Sequence, residues 1–198
     1  MDSDVGNKIF EFAYELALRD ATIRTAYKGN KDVLRRNNTA KKLIKDYIDS
    51  IIKGEPTDFD SIASDVEQSF TEYVKPKKEN VIFTFGNTQK LINMTVKYMY
   101  IATYDNEKIR DRFKTCHCPL DSYMRDKVWA EIKNCGDSDI AECREFLSKH
   151  RFYNCSWSRI KSDSREIYDK FQETVRILAE REGITPVNFD YKYWNADN

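Results

Sequence analysis

The sequence predicts an all-α fold, a compact single domain of about eight to ten helices. Three observations carry that prediction. Only six glycines and four prolines occur in 198 residues, too few to punctuate many short strands or hairpins. Apolar residues recur at three- and four-residue steps along most of the chain, the period of a helix with one buried face. One short run, residues 81–85, could be extended, and it is better placed as the lead-in to a helix.

The elements follow in order. Across residues 5–27, Ile9, Phe12, Ala13, Leu16, Ala17 and Ile23 form one apolar face, with Gly29 beyond the end. A second helix is predicted over 32–53, stopped by Gly54, and the Asn37-Asn38 pair is positioned to break it. A third follows Pro56 with Thr57 or Asp58 as its cap and carries Phe59, Ile62, Val66, Phe70 and Tyr73. Lys75-Pro76-Lys77-Lys78 ends it and is the best linker candidate, giving a single domain over 1–198 with a sub-division at 1–75 and 81–198. Residues 87–104 form the most apolar helix, bearing Leu91, Ile92, Met94, Val96 and Met99; such a helix belongs at the centre. Its polar exceptions, Lys90, Asn93 and Lys97, lie along one stripe. Residues 106–114 are a short charged helix or loop. A helix over 122–133 opens on Asp121, where an N-cap belongs. Helices at 137–150 and 164–182 follow, the latter stopped by Gly183, and 187–194 form a last aromatic-rich turn.

Lys+Arg and Asp+Glu number 33 each, so no overall field draws the chain to nucleic acid or membrane and any anion-binding surface must be local. No run of about 18 apolar residues is present, and the first eight residues lack an apolar h-region. A soluble cytoplasmic protein without a membrane partner is expected. The five cysteines, Cys116, Cys118, Cys135, Cys143 and Cys155, are an odd set in the second half of the chain, which suits free thiols rather than a disulfide framework.

Cys116-His117-Cys118 invites a metal or thiolate reading, but Cys-x-Cys lacks zinc-knuckle spacing and no second close pair completes a tetrahedral set. No metal and no cofactor are expected. The more informative pair is Lys90 and Asp121. Lys90 sits in the first turn of the central helix, where a partly buried amine is a candidate nucleophile. Asp121 opens a later helix, a favourable place for a carboxylate. If both helix starts face one cleft, an amine able to attack a sugar C1′ meets a carboxylate able to stabilise oxocarbenium charge.

Gly86-Asn87-Thr88-Gln89-Lys90 entering an apolar helix, then Pro119-Leu120-Asp121-Ser122-Tyr123-Met124 opening another, resembles the catalytic segment of the helix-hairpin-helix DNA glycosylases. The long gap between Lys90 and Asp121 is most similar to the archaeal 8-oxoguanine glycosylase branch. The likeness covers residues 85–129, and the usual Leu-Pro-Gly-x-Gly hairpin is replaced by Phe83-Thr84-Phe85-Gly86-Asn87. It implies a helix-hairpin-helix glycosylase-like fold and a DNA N-glycosylase acting in base excision or repair, with abasic-site lyase chemistry. Lys90 and Asp121 would be catalytic and the partner a duplex with a damaged or modified base. Gly86 would approach phosphate through its N–H; Gln89, Asn93, Lys97 and His117 would contact the flipped base, and Tyr123, Trp129 and Trp157, with Tyr98, would stack on it. Residues 86–133 carry nine Lys/Arg against six Asp/Glu, a local basic excess in keeping with phosphate contact. The whole chain, with Trp157 and Trp194-Asn195 bracketing the last long helix, also resembles bacterial helical proteins of similar length, a likeness that implies no function. The alternatives are a non-enzymatic helical factor of phage defence or counter-defence, binding a protein partner through its aromatic surface, and a thiol- or metal-dependent enzyme built on Cys116-His117-Cys118.

Overall fold

The computed structural model describes residues 3–22, 34–74 and 83–195. Among them every regular element is a helix, and there are no strands. We label them α1 (Ser3–Thr22), α2 (Asn38–Lys53), α3 (Phe59–Val74), α4 (Phe85–Ala102), α5 (Glu107–Arg110), α6 (Ser122–Ile132), α7 (Ser138–Lys149), α8 (Glu166–Arg181) and α9 (Pro186–Asn195). Three short 3-10 turns, Phe152–Asn154, Trp157–Arg159 and Ser162–Ser164, connect α7 to α8.

Local chemistry explains the boundaries. Asn37 does break the second predicted helix, because its side chain accepts from Ala40 N at 3.1 Å and starts α2. Gly54 ends α2 in the left-handed region at φ 78°, which a residue with a Cβ adopts only at a cost. Asp58 caps α3, accepting from Asp60 N at 2.9 Å. The central helix begins two residues earlier than its apolar pattern indicated. Thr84 accepts from Asn87 N at 3.2 Å while Asn87 Oδ1 accepts from Thr84 N at 3.2 Å, a reciprocal cap. Asp121 caps α6 as expected, accepting from Met124 N at 2.9 Å. The expected end of the first helix, at residue 27, and the linker at 75–78 lie outside the described residues.

α4 is the centre of the molecule and is buried around almost its whole circumference. α1 lies along it, with Phe10, Ala13, Tyr14, Ala17 and Ala21 turned inward. α3 and the Trp157 turn pack on other sides of it, with Tyr168 of α8 and Asp190 of α9 also reaching it, and residues before and after 75–80 share one continuous core. Phe70 of α3, for example, stacks on Phe83 with ring centroids 3.9 Å apart. Most polar groups on so buried a helix find partners, the Thr88 hydroxyl being an exception. Asn87 Nδ2 donates to Ala21 O at 2.8 Å, and Thr95 Oγ1 donates to Leu91 O at 2.7 Å.

A candidate active site between the central helix and the Asp121 turn

Gly86 sets the site's first constraint. It is buried, and its backbone lies so close to the Trp157 turn that a Cβ built on it falls 1.8 Å from Trp157 O. Only glycine allows this approach. The Gly86 N–H donates to Ile160 O at 2.9 Å, and the Thr84 hydroxyl donates to Ser158 O at 2.9 Å. The turn is thereby fixed to the start of α4, and Trp157 is laid over the next turn of that helix. The Gly86 N–H therefore serves this backbone contact instead of facing outward.

On that next turn Lys90 Nζ lies 3.4 Å from Asp121 Oδ2 and 4.5 Å from the centroid of the Trp157 ring. The Lys90 side chain is 11 % exposed and that of Asp121 26 %, so the pair is enclosed on one side and open on the other. It forms part of the lining of a cleft of about 350 Å³, with Met94 and Tyr98 of α4, Arg19 and Asp20 of α1, and Ser122, Tyr123 and Trp194. That volume suits a small ligand or one extruded group. The Tyr98 hydroxyl donates to Asp20 Oδ2 at 2.6 Å; burial and then Asp20 push its pKa up. Tyr123 donates to Tyr193 O at 2.5 Å, tying the start of α6 to α9.

Lys97, two turns beyond Lys90, pairs with Asp190 of α9 at 2.5 Å, and both side chains are buried. Its Nζ also lies 4.8 Å from the Trp194 ring centroid. Burial raises the Asp190 pKa, and the neighbouring Lys97 opposes that rise. This pair anchors α9, which brings Trp194 to the cleft.

The remaining predicted residues have other surroundings. Gln89 is fully buried, and its amide meets the Leu120 backbone. Asn93 donates to Gln89 Oε1 at 3.3 Å and to the Tyr168 hydroxyl at 2.9 Å, inside the core. Trp129 packs beside Tyr153, with centroids 5.4 Å apart, away from the cleft lining. His117 lines a different cleft of about 390 Å³ together with Asp60, Arg165, Asp169 and Arg176. Its Nδ1 is 2.8 Å from the Tyr168 hydroxyl and its Nε2 is 2.9 Å from Arg176. Burial, then Arg176, lower the His117 pKa to about 4. The structure thus gathers Lys90, Asp121, Tyr123, Trp157 and Tyr98 into one cleft and sets Gln89, Asn93, Lys97, His117 and Trp129 outside its lining.

Burial pushes Cys116 up to about 12 and Cys118 well above the usual thiol range. Burial thus favours the neutral thiol at both sulfurs, which is unfavourable for a nucleophilic role. Among the described residues no three His, Cys, Asp or Glu side chains are grouped to hold a metal ion, and no helix is long and apolar enough to cross a membrane.

Sequence reasoning missed Arg19, Asp20, Met94, Ser122 and Trp194. Met94 lies at i+4 from Lys90 and could have been found by helical spacing. Ser122 follows the recognised cap. Arg19 and Asp20 reach the cleft only because α1 packs along α4, and no local pattern signals that. Comparison with known proteins finds no family model, no curated protein and no solved structure that matches the chain.

Proposed function

We propose that the protein is a DNA N-glycosylase that extrudes a damaged or modified nucleotide into the Lys90/Asp121 cleft and releases its base, with abasic-site lyase activity following. The observation that carries this reading is the 3.4 Å approach of Lys90 to Asp121 in a cleft lined by Trp157, Tyr123, Tyr98 and Trp194. The two residues are far apart in sequence: Lys90 lies in the second turn of α4, one turn later than its sequence pattern indicated, and Asp121 is itself the cap of α6. Aromatic walls suit an unstacked base, which presents two π-faces.

On this reading Asp121 takes a proton from the Lys90 ammonium, which frees the amine's lone pair, and gives that proton to the departing base, so that it is again a carboxylate. As the C1′–N bond to the base breaks, its electron pair leaves with the base; positive charge develops on the sugar, and the Asp121 carboxylate stabilises it. The Lys90 nitrogen then bonds to C1′ and passes one proton to the ring oxygen; the bond from C1′ to that oxygen breaks with its electron pair going to oxygen, leaving a protonated imine that permits loss of a C2′ proton and β-elimination of the 3′ phosphate. Trp157, packed on Lys90, shields the amine on one side and limits its mobility.

The test is release of free base and strand scission on a panel of duplexes carrying oxidised, deaminated and modified bases. Wild type is expected to act on at least one duplex, and Lys90→Gln and Asp121→Asn to lose at least 100-fold in rate, roughly the order expected when a nucleophile or its partner is removed. Inactivity across the panel, or full activity in both variants, would remove the proposal.

A further inference from the structure

The segment 116–121 has no regular secondary structure, yet it must hold the Asp121 carboxylate against Lys90. Two buried glutamines clamp it. Gln89, the residue before Lys90, is fully buried. Its Oε1 accepts from Leu120 N at 3.1 Å and its Nε2 donates to Leu120 O at 2.8 Å. The side-chain amide thus pairs with the backbone of the residue before Asp121 as a second peptide strand would. The same Nε2 donates to Gly86 O at 3.1 Å, and Asn93 Nδ2 donates to Oε1 at 3.3 Å, so the Gln89 rotamer is fixed by four contacts. From the opposite side Gln172 of α8 repeats the arrangement on Cys118, accepting from its N–H at 3.0 Å and donating to its carbonyl at 2.7 Å.

We infer that Gln89 is the positioning residue of the site: its two-way bond to Leu120 couples the Lys90 helix to the Asp121 turn and sets the distance between amine and carboxylate. Residues 89 and 90 are adjacent, as are 120 and 121, so a rigid bond between the inner members fixes the outer ones. Without it, the Lys90 bridge itself must hold the Asp121 turn to α4, and a salt bridge open to water on one side holds its partners weakly. Placement errors of about 1 Å cost on the order of 100-fold in rate. The catalytic consequence rests on the glycosylase reading; the coupling itself does not.

The experiment is a double-mutant cycle on Gln89→Met, which keeps chain length and packing while removing both bonds, and Asp121→Asn. Two readouts are measured. The first is the reactivity of Lys90, followed by mass spectrometry after timed reaction with formaldehyde and cyanoborohydride. Asp121→Asn is expected to change the Lys90 labelling rate several-fold in the native background and by less than half that factor in the Gln89→Met background. The second is single-turnover excision, expected to fall at least tenfold in Gln89→Met with duplex affinity within twofold, and to fall less than twofold further when Gln89→Met is added to Asp121→Asn. A purely structural glutamine would scale both backgrounds equally, and equal factors in either readout overturn the inference. If wild type proves inactive on DNA, the glycosylase reading fails while the labelling cycle still decides the coupling. Gln89→Glu, which keeps the acceptor for Leu120 N–H and loses the donor, replaces Gln89→Met should the latter not fold; the same cycle is read on it.

Discussion

Replacing Gly86 with alanine sets two physical effects of opposite sign against each other. Gly86 lies in the first turn of α4, where helix propensity alone would make alanine better by about 1 kcal/mol. Packing says otherwise. The added Cβ would meet Trp157 O at 1.8 Å and Trp157 C at 2.8 Å, whereas real Cβ contacts essentially never fall below 3.0 Å. Backbone must move by about 1.2 Å to restore that spacing, and a carbonyl fixed in a turn cannot rotate aside as a flexible side chain could. That shift strains the Gly86-to-Ile160 and Thr84-to-Ser158 hydrogen bonds, both 2.9 Å. Overpacking costs about 1–3 kcal/mol and each weakened bond about 1 kcal/mol, so Gly86→Ala is expected to lose roughly 3 kcal/mol after the propensity gain. For a chain this size that is a fall in Tm of roughly 6–12 °C, measurable by calorimetry and by urea titration. Trp157 would also leave Lys90, so its fluorescence should shift in the folded variant. A Tm at or above wild type would refute the close-approach account of Gly86.

Three further expectations follow. Asp121 both caps α6 and partners Lys90, and these roles separate by substitution: Asp121→Asn should keep stability within about 0.5 kcal/mol, since Asn caps as well as Asp, while Asp121→Ala should lose about 1 kcal/mol in urea unfolding. His117 is held neutral by burial and by Arg176, with Arg165 adding to this and Asp60 and Asp169 opposing it, to a folded pKa of about 4 against the usual 6.5. A depressed histidine stabilises the fold above pH 6.5 and loses that contribution as pH falls toward 4, so wild type should lose about 2 kcal/mol more than His117→Gln between about pH 7 and pH 5; equal slopes in urea unfolding would contradict it. Asp190→Ala leaves the buried Lys97 ammonium without its carboxylate, which should cost about 3–5 kcal/mol and release α9, read as a rise in proteolysis near Trp194.

Much of the fold was legible because its signals are local. Asn37, Asp58 and Asp121 cap where short polar side chains were expected, Gly54 and Gly183 stop helices, and the apolar run of α4 marks the centre. The three 3-10 turns at 152–164 were not legible, since long-range packing and not periodicity places them: the Trp157–Arg159 turn lies against α4, and the Phe152–Asn154 turn against α6 and α7. The same division holds in the cleft. Lys90 and Asp121 were found from their places near helix starts, and Tyr98, Tyr123 and Trp157 only as aromatic candidates that the resemblance implied. Lys97 was expected beside Lys90 because i and i+7 share a face, but the buried carboxylate of Asp190 draws it away from the lining. Gln89 and Asn93 were expected to meet a ligand; they instead meet backbone and Tyr168, because a buried amide without a partner is costly and the core supplies one. Which polar group on a central helix meets the cleft and which meets the core depends on long-range neighbours.

The central claim is that the Lys90 amine is the nucleophile of a base-excising site whose carboxylate is Asp121. The most direct test is borohydride reduction of the protein during reaction with each duplex of the panel, followed by peptide mapping of the covalent product. A reduced sugar adduct on Lys90, absent in Lys90→Gln and strongly diminished in Asp121→Asn, is the expected result. An adduct on another lysine, or base release with no adduct and no dependence on Lys90, would contradict it.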